Sequence, residues 1–449
     1  MVSKSFRLVI NDKISSFNKT IRVDSDKSLS IRSFLIGSIS QNISLVKNVL
    51  ESEDVKSTIL SCKKLGVKIK KVKSNSYKIY GKGLGSLSIK KGSELNFSNS
   101  GTLARLLIGI LSTTPNIDIR VVGDHSLNKR NMKKLIDLTS KFGATFFPKN
   151  KTTFPLKMTS SLFPIGIKYN AGVSAQLKSA AILAGLNSYG DTIINEKTIS
   201  RDHTENLLMN NSQVIKIKKG KKKVIRVHGK KYLKPFFTSI SGDPSSAAFF
   251  VTLTLLNPNS SLKIRDVGLN PTRIGFYKIL KKHNAKIKFL NVKKKNHEIR
   301  GDIVVKSSNI KPIKSLANMY PSTTDEYLLL FCIAGLTKGK SSFKGISDLS
   351  NKESSRAHEM KKILYQLGIK CKLTKDEMKI SGKTLENITK KKIAVGNLGD
   401  HRIAMCAFIL GILTKSKTNI KNFETVFTSS PSFLNIMKSL GAKFEIKKK

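Results

Sequence analysis

Six stretches of the chain share one pattern, in which a short polar or glycine-containing loop is followed at once by an apolar segment rich in small residues. A Ser, Asp or Asn directly before such a segment predicts a side-chain N-cap and the start of a helix. The stretches begin at Asp26, Asn99, Ser174, Asp243, Asp325 and Asp400. These starts are 69 to 82 residues apart, and the spacing predicts six copies of one repeat.

Each apolar helix is followed by a β-rich segment, a second and amphipathic helix, and a closing strand. The second helix ends in a recurring phrase, for example KKLGVKIKKV at 63–72, YQLGIKCKL at 365–373 and KSLGAKFEI at 438–446. The Gly or Asn inside this phrase predicts a left-handed helix stop before the chain returns as a strand. The third copy, ENLLMNNSQVIKI, matches less well. Each repeat is therefore predicted to read helix, strands, helix, strand.

The six repeats predict two domains with three repeats each. A basic stretch rich in turn residues precedes the fourth repeat, which places one chain crossover near 236–242. The N-terminal strand FRLVI is expected to pair within the last domain, which places a second crossover near 22–26. The predicted domains are residues 24–238 and residues 1–23 plus 239–449, and the two crossings between them predict a hinge.

The composition adds a strong positive charge to this α/β pattern. The 449 residues include 82 Lys and Arg against 29 Asp and Glu, a formal charge of +53. The lysines are spread along the whole chain and the few aromatic residues are not interleaved with the basic runs, so no specific nucleic-acid partner is predicted. Excess Lys with Ile and Asn is typical of an AT-rich genome, and the charge also favours attraction of anionic substrates. A polyanion as a second partner stays an open alternative.

Neither a membrane span nor a disulfide framework is predicted. No segment approaches the ~20 apolar residues that a membrane span requires, and the start MVSKSFRLVINDKI is interpreted as an early strand rather than a signal peptide. The cysteines Cys62, Cys332, Cys371 and Cys406 are far apart and form no CxxC pair, which also argues against a metal site. A cytoplasmic protein without a membrane partner is expected.

Arginine is rare enough in this chain to be informative. Only 13 of the 82 basic residues are Arg, and a planar, permanently charged fork binds phosphate and carboxylate in a fixed geometry. Helix N-termini add free N–H groups and partial positive charge. The arginines that fall in the repeat motifs are Arg32, Arg105, Arg130, Arg201, Arg273, Arg356 and Arg402. The combination predicts a site for small molecules that have several phosphates or carboxylates.

Asp325 and Glu353 are the acids that stand out in this basic set. A carboxylate held in a preorganised, dry site can accept a proton as a reaction develops. Simpler interpretations are an N-cap for Asp325 and a surface salt bridge for Glu353. No Walker A, GxSxG or HExxH sequence is present and the seven His are dispersed, so a nucleotide loop, a serine nucleophile and a metal centre are not predicted.

Ten short motifs follow one another in the order found in the 5-enolpyruvylshikimate-3-phosphate synthase family, and the chain resembles that family over nearly its whole length. The motifs are DKSLSIR, NSGTLAR, GDHSLNKRNM, SAQLKSAAILAGL, SRDHTE, GDPSSAAF, NPTRIG, DEY, KESSR and GDHRIAM. The resemblance implies an α/β, two-domain enolpyruvyl transferase fold, which is an inverse α/β barrel. It also implies six β-α-β-α-β-β repeats, three per domain, with the active site in the interdomain cleft.

The resemblance further implies an enzyme of the shikimate pathway, which leads to chorismate and the aromatic amino acids. Its reaction moves the enolpyruvyl group of phosphoenolpyruvate to the 5-hydroxyl of shikimate 3-phosphate and releases phosphate, without a metal or organic cofactor. Asp325 is implied as the base on the hydroxyl, and Glu353 with Lys27 as the groups that handle the methylene proton. A monomer that closes its two lobes over the substrates is expected.

Two overlapping sets of substrate ligands are implied by the resemblance. The ligands implied for shikimate 3-phosphate are Lys27, Ser28, Arg32, Ser174, Ala175, Gln176, Arg201, Asp325 and Lys352. Those implied for phosphoenolpyruvate are Lys27, Gly101, Arg130, Gln176, Arg356 and Arg402. Gly101 leaves room in the second pocket, from which inhibition by glyphosate is expected, although Leu106 replaces a Pro that is common in sensitive members.

Four loops depart from the family pattern, and none of them removes a predicted catalytic residue. The usual Pro-Gly of the first motif is Asp24-Ser25, and the KRP of the third loop is KRN at 129–131. Residues 350–356 lack an Arg and an Asp, and the late substrate loop reads TSSP at 428–431. One alternative is a cell-wall enolpyruvyl transferase acting on UDP-N-acetylglucosamine, which would use a loop Cys. A catalytically silent anion-binding protein would lack Asp325, Glu353 or the arginine set. Nucleic-acid binding as the main role is the third alternative.

Overall fold

The structure is a computed structural model that describes residues 5–220, 222–389 and 391–448. Residues 1–4 and 449, which belong to the predicted terminal domain, lie outside the described residues. The described strands are, in chain order, β1 Phe6–Ile10, β2 Asn18–Ile21, β3 Gln41–Lys47, β4 Lys68–Lys73, β5 Ser76–Lys82, β6 Glu94–Asn96, β7 Asp118–Val122, β8 Thr145–Phe147, β9 Leu156–Thr159, β10 Lys168–Ala171, β11 Asp191–Glu196, β12 Ile215–Lys218, β13 Lys223–His228, β14 Phe237–Ser239, β15 Ser261–Gly268, β16 Lys286–Lys295, β17 Glu298–Lys306, β18 Lys314–Ser315, β19 Gly339–Lys344, β20 Lys370–Leu373, β21 Glu377–Gly382, β22 Lys392–Val395, β23 Lys417–Ile420 and β24 Glu445–Lys448. The described α-helices are α1 Lys27–Ile39, α2 Glu53–Lys64, α3 Gly101–Ser112, α4 His125–Asn128, α5 Lys133–Ser140, α6 Ala175–Leu186, α7 His203–Leu208, α8 Pro244–Leu256, α9 Gly275–Lys282, α10 Tyr320–Thr323, α11 Tyr327–Gly335, α12 Arg356–Gln366, α13 His401–Thr414 and α14 Phe433–Ser439.

The described strands form six four-stranded sheets. Their strand orders are β14-β3-β5-β4, β6-β7-β9-β8, β10-β11-β13-β12, β16-β17-β15-β2, β18-β19-β21-β20 and β22-β23-β1-β24. In each sheet one edge strand is parallel to its neighbour, for example β6 to β7 and β10 to β11. That neighbour is antiparallel to the third strand, as β7 is to β9 and β11 is to β13. A parallel pair needs a crossover connection, and in four of the six sheets the first helix of the repeat connects the two parallel strands, as α3 connects β6 to β7.

Two of the six repeats exchange their edge strands. β2 precedes α1 but pairs with β15, and β14 precedes α8 but pairs with β3. The predicted N-terminal strand is present as β1 and lies between β23 and β24 of the last sheet. The first and fourth repeats are therefore completed by strands that precede a different helix in the chain.

The chain forms two compact units. Unit A consists of Ser25–Ile240 with Lys295–Glu298, and unit B consists of the chain up to Asp24, Ser241–Lys294 and the chain from Ile299 onward. Each unit holds three of the sheets and has its own hydrophobic core. A separate core is what an independently folding domain requires.

The first helix of each repeat lies in the interior of its unit. These helices, α1, α3 and α6 in unit A and α8, α11 and α13 in unit B, are mostly apolar around their circumference, and such helices are stable only when they are buried. Every residue of α13 is buried, and in α6 only the first two residues are not. The strands have one buried face, as in β13, where Ile225 and Val227 are buried and Arg226 is exposed. Helices inside and sheets outside are the arrangement of an inverse α/β barrel.

The predicted left-handed stops after the second helices are confirmed. The Gly or Asn of the recurring phrase has positive φ in five repeats, with φ of 84° at Gly66, 95° at Gly143, 73° at Asn284, 72° at Gly368 and 94° at Gly441. A residue without a Cβ, or an Asn, adopts this conformation with little strain. The stop therefore returns the chain to the sheet at the same point of each of these repeats.

The starts of the first helices differ slightly from the prediction. The N-cap of α3 is Ser100 rather than Asn99, and the N-cap of α11 is Glu326 rather than Asp325. The N-cap interpretation of Asp325 is therefore wrong. Asp26, Ser174 and Asp400 cap their helices through a side-chain oxygen, as the pattern predicts.

Candidate active site

Side chains at the N-termini of α3 and α6 in unit A are hydrogen-bonded to one another. Gln176, the second residue of α6, donates from Nε2 to Thr102 Oγ1 at 2.9 Å and accepts from Arg105 Nη1 at 3.0 Å. Arg105 Nη1 also donates to the carbonyl of Gly101 at 3.1 Å. Gln176 thus joins two helix ends whose N–H groups and dipoles favour anions.

Arg130 lies against the start of α3. It follows α4 and donates from Nη2 to Ser126 Oγ at 3.2 Å and to Asn99 Oδ1. A Cβ added at Gly101 would lie 2.9 Å from Arg130 Nη1. The guanidinium and the first residue of α3 are therefore close enough to contact one small anion together.

Arg32 connects α1 to α6 and α7. Its Nε donates to Thr204 Oγ1 at 2.9 Å and its Nη2 to Ser179 Oγ at 3.1 Å. Its Nη1 donates to the carbonyl of Ser28 at 3.1 Å. Since Arg32 is buried, it also fixes the position of the three helices around it.

The other predicted ligands of unit A lie at the starts of helices. Lys27 is the first residue of α1, and its Nζ is 2.9 Å from Asp54 Oδ2. Ser174 caps α6, whose first residue is Ala175. Arg201 is half-buried in the loop that precedes α7. Asp54 was not predicted, because a Glu-Asp pair at the start of α2 is also ordinary helix-end chemistry.

Asp325 of unit B lies between two predicted phosphoenolpyruvate ligands. Its Oδ1 is 3.8 Å from Arg356 Nη1, and its Oδ2 is 3.8 Å from Arg402 Nη2. Its carbonyl accepts from Arg402 Nη1 at 3.2 Å. Both arginines are at helix starts, the first residue of α12 and the second of α13. The predicted base thus has a guanidinium on each side.

Asp400 holds both of these arginines, a role that the sequence analysis missed. Its Oδ2 accepts from Arg356 Nε and from Ser354 Oγ, both at 2.9 Å. Its Oδ1 accepts from the backbone N–H of Arg402 at 3.0 Å. Asp400 and Arg356 are both buried. In the sequence, Asp400 precedes the apolar segment of the sixth repeat, and this position predicts only a helix N-cap, not contacts with two arginines.

Glu353 and Lys352 have partners of opposite charge. Glu353 pairs with Arg356 Nη2, so the expected salt bridge is present; the Glu353 side chain is 20% exposed, and its partner Arg356 is buried. Lys352 Nζ lies 2.5 Å from Asp348 Oδ2, which also accepts from Tyr320 OH at 3.1 Å. A substrate that binds Lys352 has to share it with Asp348.

Neighbouring carboxylates in unit B raise the pKa values of Arg356 and Tyr320. Burial alone would lower the pKa of Arg356, but Asp400 and Glu353 raise it above its ordinary value. Burial raises the pKa of Tyr320, and the neighbouring Asp348 raises it further. Arg356 therefore stays a cation and Tyr320 a hydrogen-bond donor at any physiological pH.

The cysteines lie outside any loop that could serve as an active site. Cys62, Cys332 and Cys406 are buried in helices, and Cys371 is half-buried in β20. Burial raises the pKa of Cys62 and of Cys371 to about 11. Because the thiolate is the nucleophile, neither is reactive at neutral pH. This argues against the alternative that depends on a loop Cys.

Among the described residues, no group of three or more His, Cys, Asp or Glu is arranged to hold a metal ion. No α-helix within the described ranges has the length and apolar character needed to cross a membrane. The groups that the structure brings together at the candidate site are cationic side chains, carboxylates and helix N-termini.

Known proteins match the chain over nearly its full length. A model of the EPSP synthase family, described as 3-phosphoshikimate 1-carboxyvinyltransferase, matches residues 11–437. The 3-phosphoshikimate 1-carboxyvinyltransferase of Zymomonas mobilis is 35% identical over 442 residues, which cover 98% of this chain and 97% of that protein. That of Paramagnetospirillum magneticum is 35% identical over 424 residues, which cover 94% of each protein. An EPSP synthase structure from Acinetobacter baumannii aligns with a TM-score of 0.82 and 33% identity, covering 98% of this chain and 100% of that one.

Proposed function

The chain belongs to the EPSP synthase family, and we propose that unit A supplies most ligands of shikimate 3-phosphate while unit B supplies the proton-transfer base. It is an enzyme that transfers the enolpyruvyl group of phosphoenolpyruvate to the 5-hydroxyl of shikimate 3-phosphate and releases phosphate. It therefore acts in aromatic amino acid biosynthesis. The observation that carries the assignment of roles is the position of Asp325 between Arg356 and Arg402.

The shikimate 3-phosphate ligands of unit A are on α1, α6 and the loop before α7. Lys27 and Ser28 start α1, and Ser174, Ala175 and Gln176 start α6. The phosphate of this substrate suits a site made of helix N-termini, Lys27 and Arg201. The hydrogen bonds of Arg32 to α6 and α7 support this grouping, because they hold the three elements together. Lys352 and Asp325 of unit B complete the set.

Phosphoenolpyruvate has a carboxylate and a phosphate, and each needs its own cationic ligands. The Nη1 of Arg356 is 3.8 Å from Asp325, beyond hydrogen-bond distance. This edge of Arg356, with Arg402, binds the carboxylate. Arg130 and the N–H of Gly101 bind the phosphate. Lys27 and Gln176 contact both substrates.

The reaction needs one proton to be removed and one to be delivered. Asp325 accepts the proton of the 5-hydroxyl as that oxygen bonds to C2 of phosphoenolpyruvate, while Glu353, with Lys27, delivers a proton to C3. A proton then returns from C3 to Glu353 as the bond between C2 and the phosphate oxygen breaks, and the proton that Asp325 took from the hydroxyl passes to the departing phosphate. This step restores a double bond between C2 and C3 and releases phosphate.

The ion pair of Glu353 with Arg356 bears on this proton path. Glu353 is bound to Nη2 of Arg356, and Asp325 lies 3.8 Å from Nη1 of the same guanidinium. One arginine thus lies beside both carboxylates that are proposed to transfer protons.

Three features of the proposal stay predictions. They are an active site in the cleft between domains 24–238 and 1–23 plus 239–449, a monomeric state, and a cytoplasmic location. Small-angle X-ray scattering with and without shikimate 3-phosphate tests closure of the domains. A smaller radius of gyration with the substrate is expected, and an unchanged radius would contradict closure.

Steady-state kinetics of four single variants tests the assignment of roles. Arg201→Ala is expected to raise the KM for shikimate 3-phosphate, and Arg130→Ala the KM for phosphoenolpyruvate, each by about tenfold or more because charge-assisted hydrogen bonds are lost. Asp325→Asn is expected to lower kcat by about 10²- to 10⁴-fold. Asp137→Asn, which removes an exposed ion pair with Lys133, is the control and keeps the wild-type rate. A near-normal kcat in Asp325→Asn would show that Asp325 is not the base.

A further inference from the structure

At one buried position of the first helix, the third repeat has a charged residue where the other five repeats have a small or apolar one. The position four residues after the N-cap of the first helix is buried in all six repeats. It is occupied by Ser30, Ala104, Lys178, Ala247, Leu330 and Ala404. A small or apolar side chain is thus sufficient for packing here in five repeats. A buried ammonium is destabilising unless it is paired. Packing alone therefore does not explain why the third repeat has a lysine at this position.

Lys178 belongs to a buried network of two lysines and two glutamates, which we call the Lys178 network. Its Nζ lies 2.8 Å from Glu196 Oε1 and 2.8 Å from Glu205 Oε1. Lys223 Nζ lies 3.0 Å from Glu205 Oε1 and 3.3 Å from Glu196 Oε2. The charges balance, and no side chain of the network is more than 7% exposed. The network connects α6, the end of β11, α7 and the start of β13.

The Lys178 network keeps Glu196, Glu205 and Lys223 ionised at neutral pH. Burial alone would raise the pKa of Glu196 and of Glu205, but Lys178 and hydrogen bonds outweigh it, and both pKa values are lowered. Burial alone would lower the pKa of Lys223, but Glu205 and Glu196 outweigh it and raise that pKa. These three side chains therefore do not titrate near pH 7.

The Lys178 network also holds the residue directly before Arg201. Glu196 Oε1 accepts from the backbone N–H of Ser200 and from its hydroxyl, both at 2.7 Å. Lys178 Nζ donates to the carbonyl of Ser200 at 3.2 Å. The backbone N–H, the carbonyl and the hydroxyl of Ser200 are thus all bound. Because hydrogen bonds are directional, they fix this loop more tightly than apolar contacts would.

We propose that Lys178 and Glu196 are positioning residues that set the location of Arg201 and thereby the affinity for shikimate 3-phosphate. The inference rests on the proposed role of Arg201 as a ligand of that substrate. Stability alone does not account for the network, because replacing a buried ion pair by apolar residues of similar size is often neutral or stabilising. The three hydrogen bonds between the network and Ser200 instead fix the position of the loop that contains Arg201.

Two double variants separate positioning from stability. Lys178→Met/Glu196→Leu removes the bonds to Ser200 and leaves the Lys223–Glu205 pair. Lys223→Met/Glu205→Leu removes the same number of buried charges and leaves Lys178, Glu196 and Ser200 in contact. The first is expected to raise the KM for shikimate 3-phosphate about 10- to 100-fold, as a misplacement of about 1 Å does, and to change the KM for phosphoenolpyruvate less than about twofold. The second is expected to keep both KM values.

Arg201→Ala, measured alongside, identifies which claim fails. If it leaves the KM for shikimate 3-phosphate unchanged, the proposed ligand role of Arg201 is wrong. If it raises that KM but the first double variant does not, or both double variants raise it equally, the positioning inference is wrong. Should the first double variant not fold, Glu196→Gln replaces it, because it keeps the shape and loses the charge. A rise of about threefold or more is then expected, and an unchanged KM overturns the inference.

Discussion

A methyl group added at Gly101 tests whether the start of α3 and Arg130 form part of the phosphoenolpyruvate site. The added Cβ would lie 2.8 Å from Arg105 Nη1 and 2.9 Å from Arg130 Nη1. Ordinary contact begins at about 3.4 Å, so each guanidinium has to retreat by about 0.5 to 0.6 Å. A hydrogen bond to a charged group contributes ~1.5–3 kcal/mol. If one guanidinium loses a hydrogen bond of ~1.5 kcal/mol to phosphoenolpyruvate, the affinity for this substrate falls about tenfold.

Gly101→Ala is therefore expected to raise the KM for phosphoenolpyruvate about tenfold and to change the KM for shikimate 3-phosphate less than about twofold. The assay is phosphate release at saturating shikimate 3-phosphate with phosphoenolpyruvate varied. Gly396→Ala is the control, because no described atom lies within 4 Å of the Cβ it would add. An unchanged KM for phosphoenolpyruvate in Gly101→Ala, or an equal rise for both substrates, refutes the reasoning.

The buried ion pairs and the phosphoenolpyruvate site lead to three other expectations. Arg356→Ala leaves the buried Asp400 carboxylate without its guanidinium and is expected to lower the free energy of unfolding in urea by about 3–5 kcal/mol. Lys362→Ala breaks the exposed ion pair with Glu359 and is expected to lower the free energy of unfolding by less than about 1 kcal/mol. Equal decreases in Lys362→Ala and Arg356→Ala would show that burial does not strengthen the effect. Because the fold lowers the pKa of Glu205, the ionised carboxylate of Glu205 stabilises the folded protein above its ordinary pKa of 4.5. This stabilisation is lost as the pH falls through the lowered pKa. Between these pH values, the melting temperature of the wild type should fall more steeply than that of Lys223→Met/Glu205→Leu, and an equal decrease in both proteins would disprove this. Glyphosate is expected to inhibit in competition with phosphoenolpyruvate, and inhibition that does not depend on phosphoenolpyruvate concentration would disprove competition.

The repeat architecture could be predicted from the sequence because its signals are local. The left-handed conformations of Gly66 and Asn284 follow from a few neighbouring residues and the need to end a helix. The caps of α1 and α13 follow from an Asp directly before an apolar run. These signals recur in most copies, so the periodicity could be recognised although the third copy is weak.

Pairings between distant parts of the chain could not be predicted in the same way. Nothing near β2 indicates that it pairs with β15, or near β14 that it pairs with β3. Such pairing depends on which sheet edges the folded units leave available. Turn composition predicts the crossovers, and the FRLVI pattern predicts an N-terminal strand in the last domain, but no local signal predicts the exchange of edge strands.

The buried polar networks had weak signals that local reasoning did not use. Lys178 stands inside the apolar phrase SAQLKSAAILAGL, where a charge is unusual. Its partners Glu196 and Glu205 are on other elements, and only the fold brings them within 2.8 Å. Asp400 likewise has the sequence position of a cap, while its contacts with Arg356 depend on the packing of α12 against α13.

The release of inorganic phosphate by the purified wild-type enzyme tests most directly the claim that two anionic substrates react at this site. Release is expected when phosphoenolpyruvate and shikimate 3-phosphate are both present, in equal amount to the enolpyruvyl product, and not with either substrate alone. Release from phosphoenolpyruvate alone, or no release with both substrates over a range of salt concentrations, would contradict the account.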